Sequence, residues 1–376
     1  MRILVLIYEY PPVGGGGGMV AREISQGLSQ LGHEVHVITT RYKDLLHEED
    51  QDGIRLLRIP AFRRSLYKAG LVDMLSFVLS GIWFGLRHVR NWRPHIIHVH
   101  FAVPTGPVAW VLERLTGIPY VLTAHLGDVP GGVPDKTTRW FRWIYPFTPV
   151  IWRDASRVVA VSHHTRQLAL QHYPVEIHVI PNGVNCEDLN PGELCVNHPP
   201  RIFFAGRFVG QKNPHQIIRT LGALKDLEWD CVLAGDGPLR EKLVQEIRVL
   251  GLENRVRLTG WVSPEEVLHW MSSSDILFMP SLSEGLPVVG VQSLAMGLAV
   301  VASRSGGFTD LVDAGVNGDL IDLNQPEGYE RALRELLSDP DRLLRARQAS
   351  SQKAQAFDMH TIVQAYEQLF LAVVRG

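Results

Sequence analysis

Two cations and one acid in the second half of the chain follow predicted buried strands. Arg207 and Lys212 lie five residues apart, directly after the strand predicted at 201–205. Glu284 lies in a short polar turn after the strand predicted at 275–279. Carboxyl ends of parallel strands share one sheet edge, and cations at such an edge suit a phosphate-bearing ligand. The alternative for all three side chains is a solvated surface position.

The stretch 280–310 contains the elements that would position these side chains. Pro280 ends the first strand, and Pro287 is tolerated in the first turn of a helix that runs to about Gly297. A second buried strand is predicted at 298–302, followed by a loop with two glycines. Two strand ends and two helix starts therefore meet at one sheet edge, where helix N–H groups also favour phosphate.

The first half begins with a βαβ unit. A strand at 2–7 leads into five consecutive glycines, 14–18, then a helix and a strand at 33–40. The run fits G-x-G-x-x-G poorly, and no acid ends the second strand, which argues against NAD binding. The glycines would let backbone approach a ligand or let a loop move, and a plain surface loop is the alternative.

Residues 55–93 are basic and aromatic. They contain eight Lys or Arg residues and one acid, Asp73, with six aromatic residues between them. The apolar stretch 70–86 is marginal for a transmembrane span. Such a segment can lie on an anionic bilayer, and a second basic and aromatic helix is predicted from Arg139. A helix buried on the sheet with solvated basic ends remains equally open.

Four ionisable residues in the first half are candidate site residues. His98 and His100 share one face of a strand, but no third metal ligand is apparent, which favours a structural or hydrogen-bonded role. His125 and Asp128 follow the strand predicted at 120–123 and reach the ligand edge of the sheet.

Length and composition bound the class of protein. The chain has 376 residues, a formal net charge of −2 and three cysteines without metal spacing. It is long enough for two or three domains, and the cysteines favour a reduced, cytoplasmic location. The apolar start of the chain is predicted to be a strand rather than a signal peptide. Turn residues at 190–200 indicate a linker.

These features, taken in order along the chain, resemble the retaining glycosyltransferases of family 4, which have the GT-B fold. The match runs nearly from end to end, and the order and spacing of the motifs make it specific. Its markers are the proline and glycine loop, the turn 32–35, His125 with Asp128, Ser162, 182–184, Gly206-Arg207 with Lys212, 235–238, and 280–307.

The resemblance implies an α/β protein made of two doubly wound Rossmann-like domains facing a cleft. Residues 1–190 would bind the acceptor and 191–359 the nucleotide-sugar, with helix 360–376 returning to the first domain. The implied activity is retaining transfer of a hexose-type sugar from a nucleotide diphosphate sugar, without metal or cofactor. The expected acceptor is a glycan, a small molecule or a lipid-linked substrate at the inner face of the cell membrane. Nucleic acid is not an expected partner.

The resemblance also implies roles for individual residues. Arg207 and Lys212 would neutralise the leaving diphosphate, Glu284 would hold hydroxyls of the transferred sugar, and His125 would contact the sugar or the donor phosphate side. The remaining donor-site residues would be Gly206, Gly235, Asp236, Val262, Val288, Val289, Gln292, Gly306 and Gly307, and the acceptor-side residues Gly15, Gly16, Gly17 and Asp128.

The chain departs from the family pattern at three places. Gln292 stands where a second glutamate is common, Thr309-Asp310 replaces Pro-Glu, and Ala299 replaces a proline. These departures leave the donor sugar and nucleotide open. Two alternatives also remain, a nucleotide-sugar 2-epimerase and a non-catalytic subunit of the same fold. The D-x-D sequences at 50–52 and 339–341 lie away from strand ends and are not favoured as metal sites.

Overall fold

The computed structural model describes residues 1–66, 69–133 and 144–375. The chain divides into two compact units. Unit 1 comprises Met1–Gly183 together with Met359–Gly376, and unit 2 comprises Val184–Asp358. The division therefore falls before the linker predicted at 190–200. The basic and aromatic helix predicted from Arg139 falls partly on 139–143, which lie outside the described residues.

The described residues of unit 1 form an eight-stranded sheet covered by helices. The sheet order is β3-β4-β2-β1-β5-β6-β7-β8, with all pairs parallel except β3–β4. The strands are β1 Arg2–Leu6, β2 Glu34–Thr40, β3 Glu48–Gln51, β4 Ile54–Ile59, β5 Ile96–His100, β6 Tyr120–Ala124, β7 Arg157–Ala160 and β8 Ile177–Val179. The helices are α1 Gly16–Gln30, α2 Leu71–Trp92, α3 Thr105–Thr116, α4 Thr148–Arg153, α5 His163–Leu170 and, at the end of the chain, Met359–Arg375.

Nearly every residue of the central strands of unit 1 is buried, as is typical of strands covered by helices on both faces. Leu4 of β1 lies opposite His36 of β2 and Ile97 of β5. The strand order changes direction between β1 and β5, and ligands of open α/β sheets bind outside the strand ends at such a switch point. Helix α1 begins within the glycine run, so Gly16 and Gly17 are helical rather than part of a loop.

The last helix of the chain packs on unit 1 against α1 and β5. It buries Ile362, Val363, Tyr366 and Phe370. The Tyr366 hydroxyl lies 3.1 Å from Thr123 Oγ1, and Glu367 Oε1 lies 2.8 Å from His33 Nε2. The helix therefore fills the same core as the N-terminal strands.

The described residues of unit 2 form a six-stranded parallel sheet. Its order is β11-β10-β9-β12-β13-β14, with the switch point between β9 and β12. The strands are β9 Arg201–Ala205, β10 Asp230–Ala234, β11 Val256–Gly260, β12 Ile276–Met279, β13 Ala299–Ser303 and β14 Gly318–Ile321. The helices are α6 Pro214–Ala223, α7 Arg240–Val249, α8 Pro264–Ser272, α9 Val288–Ala295, α10 Phe308–Leu311, α11 Glu327–Ser338 and α12 Pro340–Ala354; Met359–Arg375 is α13.

A buried ion pair lies at the opposite end of β12 from the switch-point loops. The Arg347 guanidinium of α12 donates to Asp275 Oδ1 at 2.5 Å, and both side chains are almost fully buried. The Asp275 carboxylate also accepts from the backbone N–H groups of Asn197 and Arg201. Arg347 donates further to the carbonyls of Gly297 and Cys195. This network joins the linker, the start of β9 and α12.

The basic segment 55–93 is divided between two environments. Arg55, Arg58 and Arg63 pair with Glu48, Glu49 and Glu9 from outside the segment. Helix α2 packs on α3, and its far face is exposed. Among the described residues, no helix combines the length and the apolar character needed to cross a bilayer.

Candidate active site

The two loops at the switch point of unit 2 are hydrogen-bonded to each other. One loop follows β9 and the other follows β12. The Leu282 N–H donates to the carbonyl of Gln211 at 2.8 Å, and the Gln211 side-chain amide donates to the carbonyl of Ser283 at 2.9 Å. The residues that follow two strands far apart in sequence are therefore held in one place.

A short ion pair joins the two loops. Lys212 Nζ lies 2.6 Å from Glu284 Oε1, and the side chains are 19% and 7% exposed. A carboxylate this buried needs a charged or hydrogen-bonding partner, which the ammonium group supplies. The sequence predicts both residues at this edge but not their pairing.

Arg207 differs from Lys212 in its surroundings. Its side chain is half-buried at the carboxyl end of β9. In the described part of the chain its guanidinium makes no hydrogen bond or ion pair, whereas Lys212 is already paired. The site therefore presents one cation with free donors beside a cation and acid that neutralise each other.

Glycines allow the neighbouring loops to pack against these two. Gly306 has φ +63°, and a Cβ there would lie 1.9 Å from the carbonyl oxygen of Glu284. Gly235 has φ +145°, and a Cβ there would lie 2.0 Å from the carbonyl oxygen of Gly206. Both positions therefore require glycine, so the loops after β10 and β13 lie directly on those after β9 and β12.

The other predicted donor-site residues surround the same sheet edge. Val288 and Val289 form the first turn of α9, and Gln292 is half-buried one turn later. Gly307 donates its N–H to the carbonyl of Glu284 at 3.3 Å. Asp236 lies 3.7 Å from Arg240, and its Oδ1 accepts from the N–H of Gly237. Val262 lies farther out, after the edge strand β11.

The switch point of unit 1 has a different character. A Cβ on Gly17 would lie 2.6 Å from the ring of Phe101, which follows β5. Gly15 is the N-cap of α1, and Gly15 and Gly16 are exposed. The Phe101 ring stacks on His125, with ring centroids 4.3 Å apart. The glycine run and His125 are thus linked through one aromatic residue that the sequence analysis did not single out.

His125 belongs to a buried polar cluster. His100 Nδ1 lies 3.3 Å from His125 Nε2, and His98 Nε2 lies 2.9 Å from Thr123 Oγ1. The Asp128 carboxylate accepts from the backbone N–H of Ala102 at 2.6 Å. This arrangement agrees with the hydrogen-bonded role predicted for His98 and His100. No group of three metal-ligating side chains was found among the described residues.

Burial controls the protonation of this cluster. Loss of solvation lowers the pKa of His98 to about 3 and that of His125 to about 4. The same effect, with the neighbouring imidazoles, holds the pKa of His100 well below its usual range. Burial raises the pKa of Asp128 to about 7. All three histidines are therefore neutral at neutral pH.

The cluster predicts a loss of stability on mild acidification. In the unfolded chain each histidine takes up a proton near pH ~6.5. Unfolding therefore binds protons between about pH 4 and 6.5. The free energy of unfolding decreases as the pH is lowered through that window. Asp128 has the opposite effect on the free energy of unfolding. Because its pKa is raised to about 7 in the folded protein, its contribution to stability is present at low pH and is lost as the pH rises through about 7. The three histidines together bind more protons on unfolding than Asp128 releases, so the net effect of acidification is a loss of stability.

Replacing His100 isolates one contribution. The His100→Gln variant should lose up to about 1.4 kcal/mol per pH unit from the slope of unfolding free energy between pH 5 and 6.5. Denaturant titrations at several pH values measure this slope. Asp128→Asn is the matched control and should steepen it. Equal slopes for His100→Gln and the unchanged protein would contradict the assignment.

Two family models together match nearly the whole chain. The model for Glycosyltransferase Family 4 matches residues 14–188, and the model for Glycosyl transferases group 1 matches residues 190–355. The boundary between them lies close to the boundary between the two units.

Individual proteins show the same similarity. The chain is 26% identical over 343 residues to an uncharacterized glycosyltransferase of Methanocaldococcus jannaschii, covering 91% of this chain and 90% of the other. Sucrose-phosphate synthase from Thermosynechococcus elongatus has a similar structure, with TM-score 0.83 and 20% identity over 99% of both chains. HepE of Anabaena, solved with UDP and glucose, has TM-score 0.78 and 21% identity over 99% of this chain and 100% of that one.

Proposed function

Because the chain belongs to the family 4 and group 1 glycosyltransferases, with two parallel-sheet α/β units of the GT-B type, we propose that it is a retaining hexosyltransferase. It transfers a hexose-type sugar from a nucleotide diphosphate sugar to an acceptor hydroxyl. The observation that carries this proposal is the group of Arg207, Lys212 and Glu284 at the switch point of unit 2.

The charges at this site suit departure of a nucleoside diphosphate. As the bond between the anomeric carbon and the phosphate oxygen breaks, negative charge grows on the β-phosphate. Arg207 donates to that charge directly, and Lys212 can exchange its bond to Glu284 for one to the phosphate. N–H groups in the first turn of α9 add donors to the same region. The carboxylate of Glu284, whether it keeps or loses its bond to Lys212, accepts hydrogen bonds from hydroxyls of the sugar.

The proposed reaction retains the configuration at the anomeric carbon. A retaining glycosidase needs two carboxyl groups about 5 Å apart, one of them a nucleophile. The Glu284 carboxylate instead accepts a hydrogen bond from the ammonium group of Lys212. In the proposed step the acceptor oxygen bonds to the anomeric carbon on the face that the phosphate leaves. The acceptor proton passes to the leaving phosphate oxygen, so no enzyme base is required.

Two features guide the choice of donor and conditions. The similarity to HepE, solved with UDP and glucose, makes UDP-hexoses the first donors to test. Arg207 and Lys212 supply positive charge in the place where a metal ion would otherwise act, so we propose that transfer needs no divalent ion.

The experiment is a panel of UDP-, GDP- and ADP-hexoses with and without EDTA. A true donor should raise the melting temperature, because a ligand at 100 times its Kd adds about 2.7 kcal/mol of stability, and it should be hydrolysed slowly. NMR of the released sugar reports the anomer formed first. If no donor raises the melting temperature or is consumed, the proposal is wrong. A 2-epimerised sugar, or activity abolished by EDTA and restored by Mn²⁺, would contradict transfer and metal independence respectively.

Gln292 supplies a prediction about donor affinity. Its position on α9 suits a contact with the ribose of the nucleotide-sugar. The glutamine side chain would offer that ribose one hydrogen-bond acceptor and one hydrogen-bond donor. Loss of that contact in Gln292→Ala should raise the donor KM about fivefold, equivalent to about 1 kcal/mol. Gln292→Glu should stay active within about tenfold, since the added charge both strengthens the ribose bonds and repels the diphosphate. An unchanged donor KM in Gln292→Ala would remove Gln292 from the site.

The proposed acceptor is lipid-linked and lies at the inner face of the cell membrane. The basis is the exposed apolar and basic face of α2, which fits a membrane surface better than solvent.

A further inference from the structure

Helix α2 exposes a row of large apolar side chains to solvent. Leu71, Leu75, Leu79 and Trp83 recur every four residues and are 57%, 58%, 64% and 59% exposed. We call these four residues the apolar stripe. Every fourth residue lies on one side of a helix, so the apolar stripe is continuous over three turns. Exposed apolar patches of this kind mark interaction sites rather than ordinary surface.

The charges on the same face are all positive. The row continues beyond the apolar stripe with exposed Arg87, and Arg90 and Arg93 follow, also exposed. Asp73 is the one acid in α2. It is 7% exposed and points to the helix start, where its Oδ2 accepts from the N–H of Gly70 at 2.9 Å. The outward face of α2 therefore combines apolar and basic residues and no acid.

An apolar groove opens beside the stripe. It lies between α2, α3 and α4 and has a volume of about 410 Å³. Leu71 and Leu75 belong to both the stripe and the groove, and Phe147 on the opposite rim is 72% exposed. The inner lining includes Val78, Ile82, Pro107, Trp110, Val111 and Ile151. The volume is within the range of sites that bind small ligands.

The described lining of the groove offers no free polar side-chain group to a ligand. Among the described lining residues, Thr148 alone has a hydroxyl group, and that hydroxyl donates to the carbonyl of Tyr145 at 2.8 Å. The indole N–H of Trp110 donates to Asp154 at 2.9 Å. Every polar side-chain atom of the described lining is thus already bonded within the protein. A ligand gains only apolar burial here, which selects a hydrocarbon chain.

We infer that this face of unit 1 binds an anionic lipid bilayer and that the apolar groove takes up one hydrocarbon chain of a membrane lipid. The apolar stripe inserts between lipids while the arginines contact anionic headgroups, which is how basic amphipathic helices bind membranes. A second copy of this chain fits less well, because pairing two such faces would bring arginines together without an acid from α2. The inference deepens the proposed lipid-linked acceptor, yet its test does not depend on glycosyl transfer.

The first experiment measures vesicle flotation with phosphatidylglycerol mixed into phosphatidylcholine, and with phosphatidylcholine alone. The protein should float with the anionic vesicles at low salt and less at high salt. Leu79→Glu should weaken binding about tenfold or more, since it places a carboxylate in the apolar stripe. Leu115→Glu is the matched control, because Leu115 is 59% exposed on α3 and lies outside the groove lining. Equal loss in both variants, or no flotation at low salt, would overturn the inference.

The second experiment tests the groove itself. Bromine atoms on the acyl chains of phosphatidylglycerol quench tryptophan fluorescence on contact. Trp83 reports the apolar stripe and Trp110 reports the groove, and the Trp83→Phe and Trp110→Phe variants identify each contribution. Both contributions should be quenched in bound protein. Quenching of Trp83 without Trp110 would mean surface binding only and would overturn uptake of a chain.

A third measurement addresses self-association. Sedimentation velocity without lipid should show no self-association through the apolar stripe, so Leu79→Glu and the unchanged protein should sediment alike. A dimer that Leu79→Glu dissociates, with Leu115→Glu unchanged, would assign the face to a second copy instead.

Discussion

Arg207→Ala is expected to lower kcat by roughly 100-fold or more, while the KM for the nucleotide-sugar changes little. This is the effect of losing a hydrogen bond that forms only in the transition state. The reason is its free guanidinium at the end of β9, which has no partner among the described residues and so is available to the leaving phosphate. Arg207→Lys keeps the charge but not the planar pair of donors, so it should recover part of the loss.

Lys212→Ala should lower kcat by a similar factor of roughly 100, but with an additional loss of stability. Removal of the ammonium group leaves Glu284 buried without its counter-ion. Glu284→Gln keeps the shape and a hydrogen bond, so it should lose kcat while staying folded. Thermal melts separate the two effects.

Initial rates with saturating acceptor give kcat and the donor KM for each variant. Arg248→Ala, an exposed cation on α7, is the control and should behave as the unchanged protein. A change confined to KM in Arg207→Ala or Lys212→Ala would show that these residues bind the ground state and do not stabilise the leaving group.

Breaking the pair between Asp275 and Arg347 is expected to cost about 3–5 kcal/mol of unfolding free energy. Asp275→Asn leaves a guanidinium buried without a counter-charge, and Arg347→Met leaves a carboxylate in the same position. Because each single change strands the other partner, the double variant should lose less than the sum of the two single losses. Reversible denaturant unfolding of all four proteins measures the coupling.

The exposed pair Arg334–Asp226 provides the comparison. Its atoms are equally close, at 2.5 Å, but the side chains are 37% and 60% exposed. Solvent screens such a pair, so Arg334→Met should leave the unfolding midpoint nearly unchanged. Similar losses at both sites would show that burial does not explain the cost at Asp275.

The sequence predicted the strands that carry the candidate site, because parallel strands covered on both faces are continuous apolar runs. It could not predict that Lys212 bonds to Glu284. Periodicity gives the strands but not their order in the sheet, and the contact requires β9 and β12 to be neighbours. The fold class is confirmed by two parallel-sheet units and by the similar solved structures.

The basic segment 55–93 shows the same limit. Its composition predicted a positively charged surface, yet Arg58 and Arg63 are buried against acids from other parts of the chain. Helix α2 retains an outward basic and apolar face. Spacing along one helix could identify that face. Pairing with Glu9 and Glu49 depends on tertiary contacts that no local pattern contains.

The last helix has a consequence for how the protein is made. Unit 1 consists of two stretches of chain with the whole of unit 2 between them. Its core includes Tyr366 and Phe370, which leave the ribosome after every residue of unit 2. During synthesis the surface of the N-terminal sheet that packs against α13 therefore stays uncovered until α13 has been translated. Unit 2 is contiguous in sequence and can fold before that point. The first unit to be translated is the last to be completed, and until then its exposed apolar surface is a target for chaperones.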